Sequence, residues 1–227
     1  LVSELVADQV EIFKGQIVPA LEAAGITLAR YADLSHKDKK WAEEWYRANV
    51  FPTLTPLAVD PTHRFPFISN LSTNLAILAE SPEGKAQTGK GGSFEGQEHL
   101  FARLKFPPNI KRFITLPQRD GTNKGVRLVY LNDIIRNNLD DLFPGMKLEE
   151  TVAFRVTRSA GIQKDDLDTD NLLRSVEAEL KQRKFARVVR LELEHTASPA
   201  MGRWLLDKLN IHSLDVYDIT SGERMPL

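Results

Sequence analysis

Between Phe51 and Pro66 the chain carries four prolines, Pro52, Pro56, Pro61 and Pro66. Each fixes φ, removes a backbone donor and pushes the residue before it out of the helical region. No regular helix passes through such a stretch, and no central strand does either. The residues on its two sides read differently, which predicts a division into residues 1–50 and 51–227.

Before the prolines the periodicity is helical. Val2, Val6, Val10, Phe13, Ile17 and Leu21 recur every three or four residues, which predicts a helix over 1–24. Pro19 should kink it or end it early, and Gly25 is a natural stop. Ser35 with Asp38 three residues on resembles a capping box and predicts a second helix, ended at Asn49 to Pro52. Trp41, Trp45 and Tyr46 share its inner face, with helix 1–24 as their expected packing partner.

After the prolines, short apolar runs alternate with turn residues. Strands are expected at 75–79, 100–106, 113–116, 126–130, 152–158, 188–193 and 215–219. Helices are expected at 131–142, stopped by Pro144-Gly145, and from Asp168 or Thr169 through Leu180. Another should run from Pro199 to Leu209, capped by Ser198. Residues 84–96 hold five of the chain's 13 glycines and read as a solvated loop between two strands. The expected fold class is α+β: a mostly antiparallel mixed sheet with packed helices, preceded by a small all-α helical segment.

Composition narrows the chemistry. The absence of cysteine excludes disulfides, thiolate metal sites and cysteine nucleophiles, and makes a cytoplasmic location the default expectation. No apolar run approaches the ~20 residues of a membrane helix, so membrane association is expected to be peripheral at most. The chain starts at Leu1, inside a helical pattern, and reads as a cut from a longer protein. Its five histidines (His36, His63, His99, His195 and His212) are scattered, with no i, i+4 pair, so no metal site is expected. The 84–96 loop lacks the spacing of a phosphate-binding loop before a helix. Asp165, Asp166, Asp168 and Asp170 lack the glycine and terminal glutamate of a calcium loop and suit a helix N-terminus better.

The net charge is −1, yet residues 101–127 contain seven basic residues and one acid, Asp120. Two readings of this run stay open: one wall of a polyanion path, or solvated charge and ordinary ion pairs. Near-neutral overall charge and the lack of any familiar nucleic-acid-binding signature argue against nucleic acid.

Several stretches in fixed order carry a resemblance. Phe51-Pro52-Thr53-Leu54-Thr55-Pro56-Leu57-Ala58-Val59-Asp60 is followed by Phe65-Pro66-Phe67-Ile68-Ser69-Asn70-Leu71-Ser72-Thr73-Asn74-Leu75-Ala76. Then come Phe101 to Pro107, Arg112 to Pro117, Asn137 to Gly145, and Phe154-Arg155-Val156-Thr157-Arg158-Ser159-Ala160. Together they resemble polyphosphate kinases, from the end of the N-terminal domain (1–50) through the head, or middle, domain (51–227). Arg64, where the family usually has proline, and the glycine-rich 84–96 loop depart from the pattern.

The resemblance implies a parent enzyme that moves the terminal phosphate of ATP onto polyphosphate, reversibly, with magnesium and through a phosphohistidine. The family's catalytic histidines and magnesium ligands match nothing here, so this segment is expected to be inactive alone, with no catalytic residue and no cofactor of its own. Its implied roles are dimerisation and flanking the polyphosphate tunnel; if basic residues line that path, strand placement and charge make Arg155 and Arg158, then Arg103 and Lys105, the expected polyphosphate contacts. The alternative is a stand-alone polyanion-binding or oligomerisation module.

Overall fold

A computed structural model of the chain describes residues 2–59, 65–80, 99–118, 125–159 and 186–219. The expected helix at 168–180, the 84–96 loop, His63, Arg64 and the acidic cluster at 165–170 lie outside the described residues.

Helix α1 (Val2–Ile12) runs through a π turn at Phe13–Ile17 into α2 (Val18–Ala23). Proline cannot follow a tight helical turn, because its ring meets the carbonyl four residues back. The widened turn just before Pro19, closed by the Val18 N–H bonding to the Phe13 carbonyl, moves that carbonyl aside, so the helix continues to Ala23. Gly25, at φ +77°, then turns the chain in the left-handed region that stops helices.

The next element has no counterpart in the sequence reading. Strand β1 (Ile26–Ala29) pairs in parallel with β6 (Val126–Tyr130), and β5 (Phe113–Thr115) pairs with the other edge of β6 to complete a three-stranded sheet. Where β1 and β6 begin, two backbones nearly touch: a Cβ on Gly125 would sit 2.3 Å from the Gly25 oxygen.

Helix α3 (His36–Asn49) starts at a capping box. Ser35 Oγ accepts from the Asp38 N–H at 3.2 Å and donates to Asp38 Oδ2 at 2.9 Å. The expected packing of Trp41, Trp45 and Tyr46 on helix 1–24 is corrected. Ala42, Tyr46 and Val50 are buried among Leu75, Ile77, Leu104, Ile114, Val129 and Ile134, with Trp41 and Trp45 half-buried beside them. No residue of α2 or the π turn is buried, and Leu5, Ile12 and Ile17 are exposed.

Six strands form the larger sheet. They are β2 (Leu57–Val59), β3 (Thr73–Glu80), β4 (His99–Lys105), β7 (Leu148–Arg158), β8 (Val188–Glu194) and β9 (Val216–Ile219). Their order is β2-β4-β3-β7-β8-β9, antiparallel throughout except for the parallel β8–β9 edge. The fold is the expected α+β mixture with a mostly antiparallel sheet and a helical N-terminal segment.

Both faces of the sheet are covered. Leu75, Ile77, Ala102, Leu104 and Ala153 meet α3 and helix α4 (Leu131–Arg136) on one side. Ala76, Leu78, Phe101, Val152, Phe154 and Leu191 meet Met201 and Leu205 of helix α5 (Pro199–Leu209) on the other. A strand buried on both faces reads as one apolar run, and Leu75 to Ala79 is one, none of it more than 4% exposed.

Candidate functional site

The feature of interest is a groove of about 500 Å³ at the end of the larger sheet. Three segments form it: the turn at 69–73, the chain leaving β4 at 105–112, and the β6–α4 junction at Tyr130 and Leu131. The 69–73 turn is internally braced. Ser72 Oγ donates to the Ser69 carbonyl at 2.8 Å, and the Leu71 N–H donates to the Val156 carbonyl at 2.9 Å. Leu71 holds a left-handed φ of +57°, uncommon for a branched side chain, and stays 56% exposed. The opposite wall is pinned by the Leu131 N–H on the Arg112 carbonyl at 2.8 Å.

Its charge is one-sided. The described lining includes Lys105, Lys111 and Arg112, with the hydroxyls of Ser69 and Ser72, and no carboxylate. Lys105 Nζ donates to Ser69 Oγ at 3.3 Å, a neutral partner, and no described carboxylate pairs with it. Lys111 and Arg112 are exposed, and neither pairs with a described carboxylate.

Two residues before Lys105 on the same face of β4, Arg103 lies only 6% exposed. Its Nε donates to Asn74 Oδ1 at 2.8 Å, and its Nη2 is buried without a partner among the described residues. Asn74 in turn donates to the Ser72 carbonyl at 2.7 Å. Burial lowers the Arg103 pKa from the ordinary arginine value.

The four expected contacts therefore occupy four different settings. Lys105 lines the groove, and Arg103 lies beneath the turn that forms one wall. Arg158 does not face the groove. Its guanidinium donates to the Ile68 carbonyl at 3.0 Å and the Ala186 carbonyl at 2.6 Å and lies over the Phe67 ring. Its backbone N–H donates to Asn70 Oδ1 at 2.8 Å, so it fastens the segment leading into the turn. Arg155 sits across from Thr73 in the sheet but pairs with Glu192, which also takes Arg190 at 2.8 Å.

The basic run is likewise divided by its partners. Arg127 is held by Asp38 through two bonds at 2.8 and 3.1 Å, so it serves the α3 cap. Arg119 and Lys124 lie outside the described residues. Lys111 and Arg112, which the run contained but strand placement passed over, are the ones left facing solvent.

The family model for the polyphosphate kinase middle domain matches residues 37–223. This chain belongs to the polyphosphate kinase family. Among curated relatives, the polyphosphate kinase of Thermosynechococcus vestitus is 39% identical over 217 residues, which cover 95% of this chain and 28% of that protein. The Synechocystis polyphosphate kinase is 38% identical over 221 residues, covering 95% and 29%. That of Mycobacterium tuberculosis is 35% identical over 224 residues, with the same coverage.

The crystal structure of the Porphyromonas gingivalis polyphosphate kinase superposes with a TM-score of 0.70 at 21% identity. It covers 100% of this chain and 31% of that one, a likeness of fold. The chain thus spans under a third of the length of these polyphosphate kinases. Among the described residues of this middle domain, no group of three or more His, Asp or Glu side chains converges in a way that fits a metal ion. Among them also, no helix is long and apolar enough to cross a membrane.

Proposed function

We propose that this middle domain is the non-catalytic head of a polyphosphate kinase and that its groove contacts the phosphate chain. In this reading the parent enzyme reversibly transfers the terminal phosphate of ATP to polyphosphate in the cytoplasm. It does so with magnesium and a phosphohistidine supplied by segments other than this one, so no step through the metal falls to these residues. A phosphohistidine divides a transfer between two polyanions into two easier displacements. The flanking domain then has to guide one polyanion, for which fixed cations suffice.

One observation carries the reading: the groove gathers Lys105, Lys111 and Arg112 and has no described carboxylate in its lining. Arg103 adds buried positive charge behind Lys105. Arg155 and Arg158 remain part of the proposal as supports for the groove's surroundings, since each already has strong acceptors.

Calorimetry of the chain with polyphosphate over a salt series tests this. Binding should weaken steeply with salt, and Lys111→Ala with Arg112→Ala should flatten the slope by roughly one unit per cation removed. Binding that ignores both substitutions but falls with Arg155→Ala would move the contact to the other side of Thr73. No binding at low salt would end the reading.

The exposed apolar side chains of α1 and the π turn, Val2, Leu5, Ile12 and Ile17, favour a second role in homo-oligomer formation. Concentration-dependent light scattering tests that role, and a strict monomer at high concentration would count against it. We further propose residue 50 as the boundary between the parent's N-terminal and middle domains, marked by the change from helix to sheet and not by a separate core.

A further inference from the structure

The three-stranded sheet has two unlike faces. Val129 of β6 and Ile114 of β5 belong to the core under α3 and α4. Side chains alternate along a strand, so Leu28, Leu128, Tyr130 and Phe113 lie on the other face, with Leu28 opposite Leu128 and Phe113 opposite Tyr130. A pocket of about 260 Å³ opens on that face, at the end where β1 passes into Arg30 to Ala32 and β6 into α4. Leu28, Leu128 and the Phe113–Tyr130 ring pair, with centroids 5.6 Å apart, give it apolar walls. Arg30, Asp133 and Asn137 are its charged and amide groups.

The charges nearby are matched except one. Arg30 is held by Asp33 at 2.6 Å. Arg136 is bound to Glu194 and to Asn132 Oδ1, so its pull on Asp133 acts from beyond ion-pair distance. Asp133 accepts the Tyr31 N–H, and no described cation forms an ion pair with it. A carboxylate has room for about four hydrogen bonds, so acceptor capacity remains. Asn137 spends its Nδ2 on the Asp133 carbonyl at 2.7 Å, which leaves its Oδ1 as a second acceptor.

Burial makes the charged form of Asp133 costly. A chain that keeps such a group gives up stability, as binding sites commonly do. An anion entering this pocket would meet a carboxylate with no countercharge. A neutral apolar molecule would strip that carboxylate of water and return nothing. A primary ammonium on a hydrocarbon stem suits both parts, the charge for Asp133 and the stem for the apolar walls.

We propose that the pocket at the ends of β1 and β6 binds the primary ammonium of an aliphatic amine, with the ammonium on Asp133 and the stem against Leu28, Leu128 and the Phe113–Tyr130 pair. The site is independent of the groove reading. Its ammonium can come from a free amine or from a lysine side chain of a partner protein, and the two are separable by experiment.

Calorimetry at neutral pH and constant ionic strength tests the site, with putrescine, Nα-acetyl-lysine methylamide and the uncharged butanediol as probes. The amines should bind saturably and butanediol should not. Asp133→Asn keeps the side chain's shape and should weaken amine binding roughly ten-fold or more, with the near-UV circular dichroism unchanged. Asp207→Asn, at an exposed acid on α5, should leave binding as it was. Tighter binding of putrescine assigns the site to a free amine, and tighter binding of the capped lysine assigns it to a partner's lysine. Amine binding that survives Asp133→Asn, equal binding of butanediol, or no binding of either amine to the unaltered chain would overturn the proposal.

Discussion

Tyr46 shows how packing sets the worth of a single polar atom. Its ring is fully buried and its hydroxyl has no hydrogen-bond partner among the described residues. Burial raises the phenol's pKa, so the group stays neutral and simply loses its hydration. Tyr46→Phe should raise stability by about 1 kcal/mol, measured by urea unfolding. Asp133 offers a titrating counterpart. Burial raises its pKa above the ordinary 3.8, against the opposing pull of Arg136 and of the Tyr31 N–H it accepts. A carboxyl whose folded pKa is raised stabilises fully below the unfolded value, and that contribution is lost as pH rises through the folded value. Asp133→Asn should therefore gain in Tm over the parent chain as pH climbs above about 4, and the two should converge in acid. The charge pattern made residues 101–127 stand out, but charge alone says nothing of partners. Arg155 meets Glu192 and Arg158 meets the Ile68 carbonyl across distant sequence, whereas Lys111 and Arg112 stay exposed.

Among the elements, α5 was readable because local chemistry decides it. Ser198 caps it with Oγ 3.1 Å from the Met201 N–H, proline takes the first turn, and Asn210 at φ +50° ends it. The helix expected at 131–142 instead stops at Arg136. Asn137 and Asn138 turn their amides back onto the Asp133 and Ile134 carbonyls, both at 2.7 Å, and so compete with the helical ladder. Strands β1 and β2 were not legible: four and three residues are too few to display a period, and only β6 and β4 beside them define them. Two predictions belong here. Asp38→Ala should cost about 1–3 kcal/mol by thermal or urea unfolding, because it takes away the carboxylate that holds Arg127, leaves that cation the Pro117 carbonyl, and removes the oxygen to which Ser35 Oγ donates. Gly125→Ala should cost about 1–3 kcal/mol, because its methyl would push β6 away from the Gly25 carbonyl.

At the scale of the molecule, one core crosses residue 50. Tyr31, Leu34, Ala42 and Tyr46 pack with Leu75, Leu104, Val129 and Ala153 in a single cluster. The proline-rich segment thus changes the type of secondary structure without separating two cores. Removing residues 1–50 should leave a chain that loses near-UV circular dichroism and binds hydrophobic dyes, since Leu75, Ile77 and Leu104 would lose their cover. A truncated chain with native-like near-UV signal would show instead that the sheet supports itself. The parallel pairing of β1 with β6 also has a consequence in time. Ile26 aligns with Val126, so during synthesis at about 5–20 residues per second the first strand emerges roughly 5–20 s before β6, its one neighbour among the described strands. For those seconds Leu28, buried in the finished sheet, has no β6 beside it, and the nascent chain has to keep it from other chains until β6 has left the ribosome.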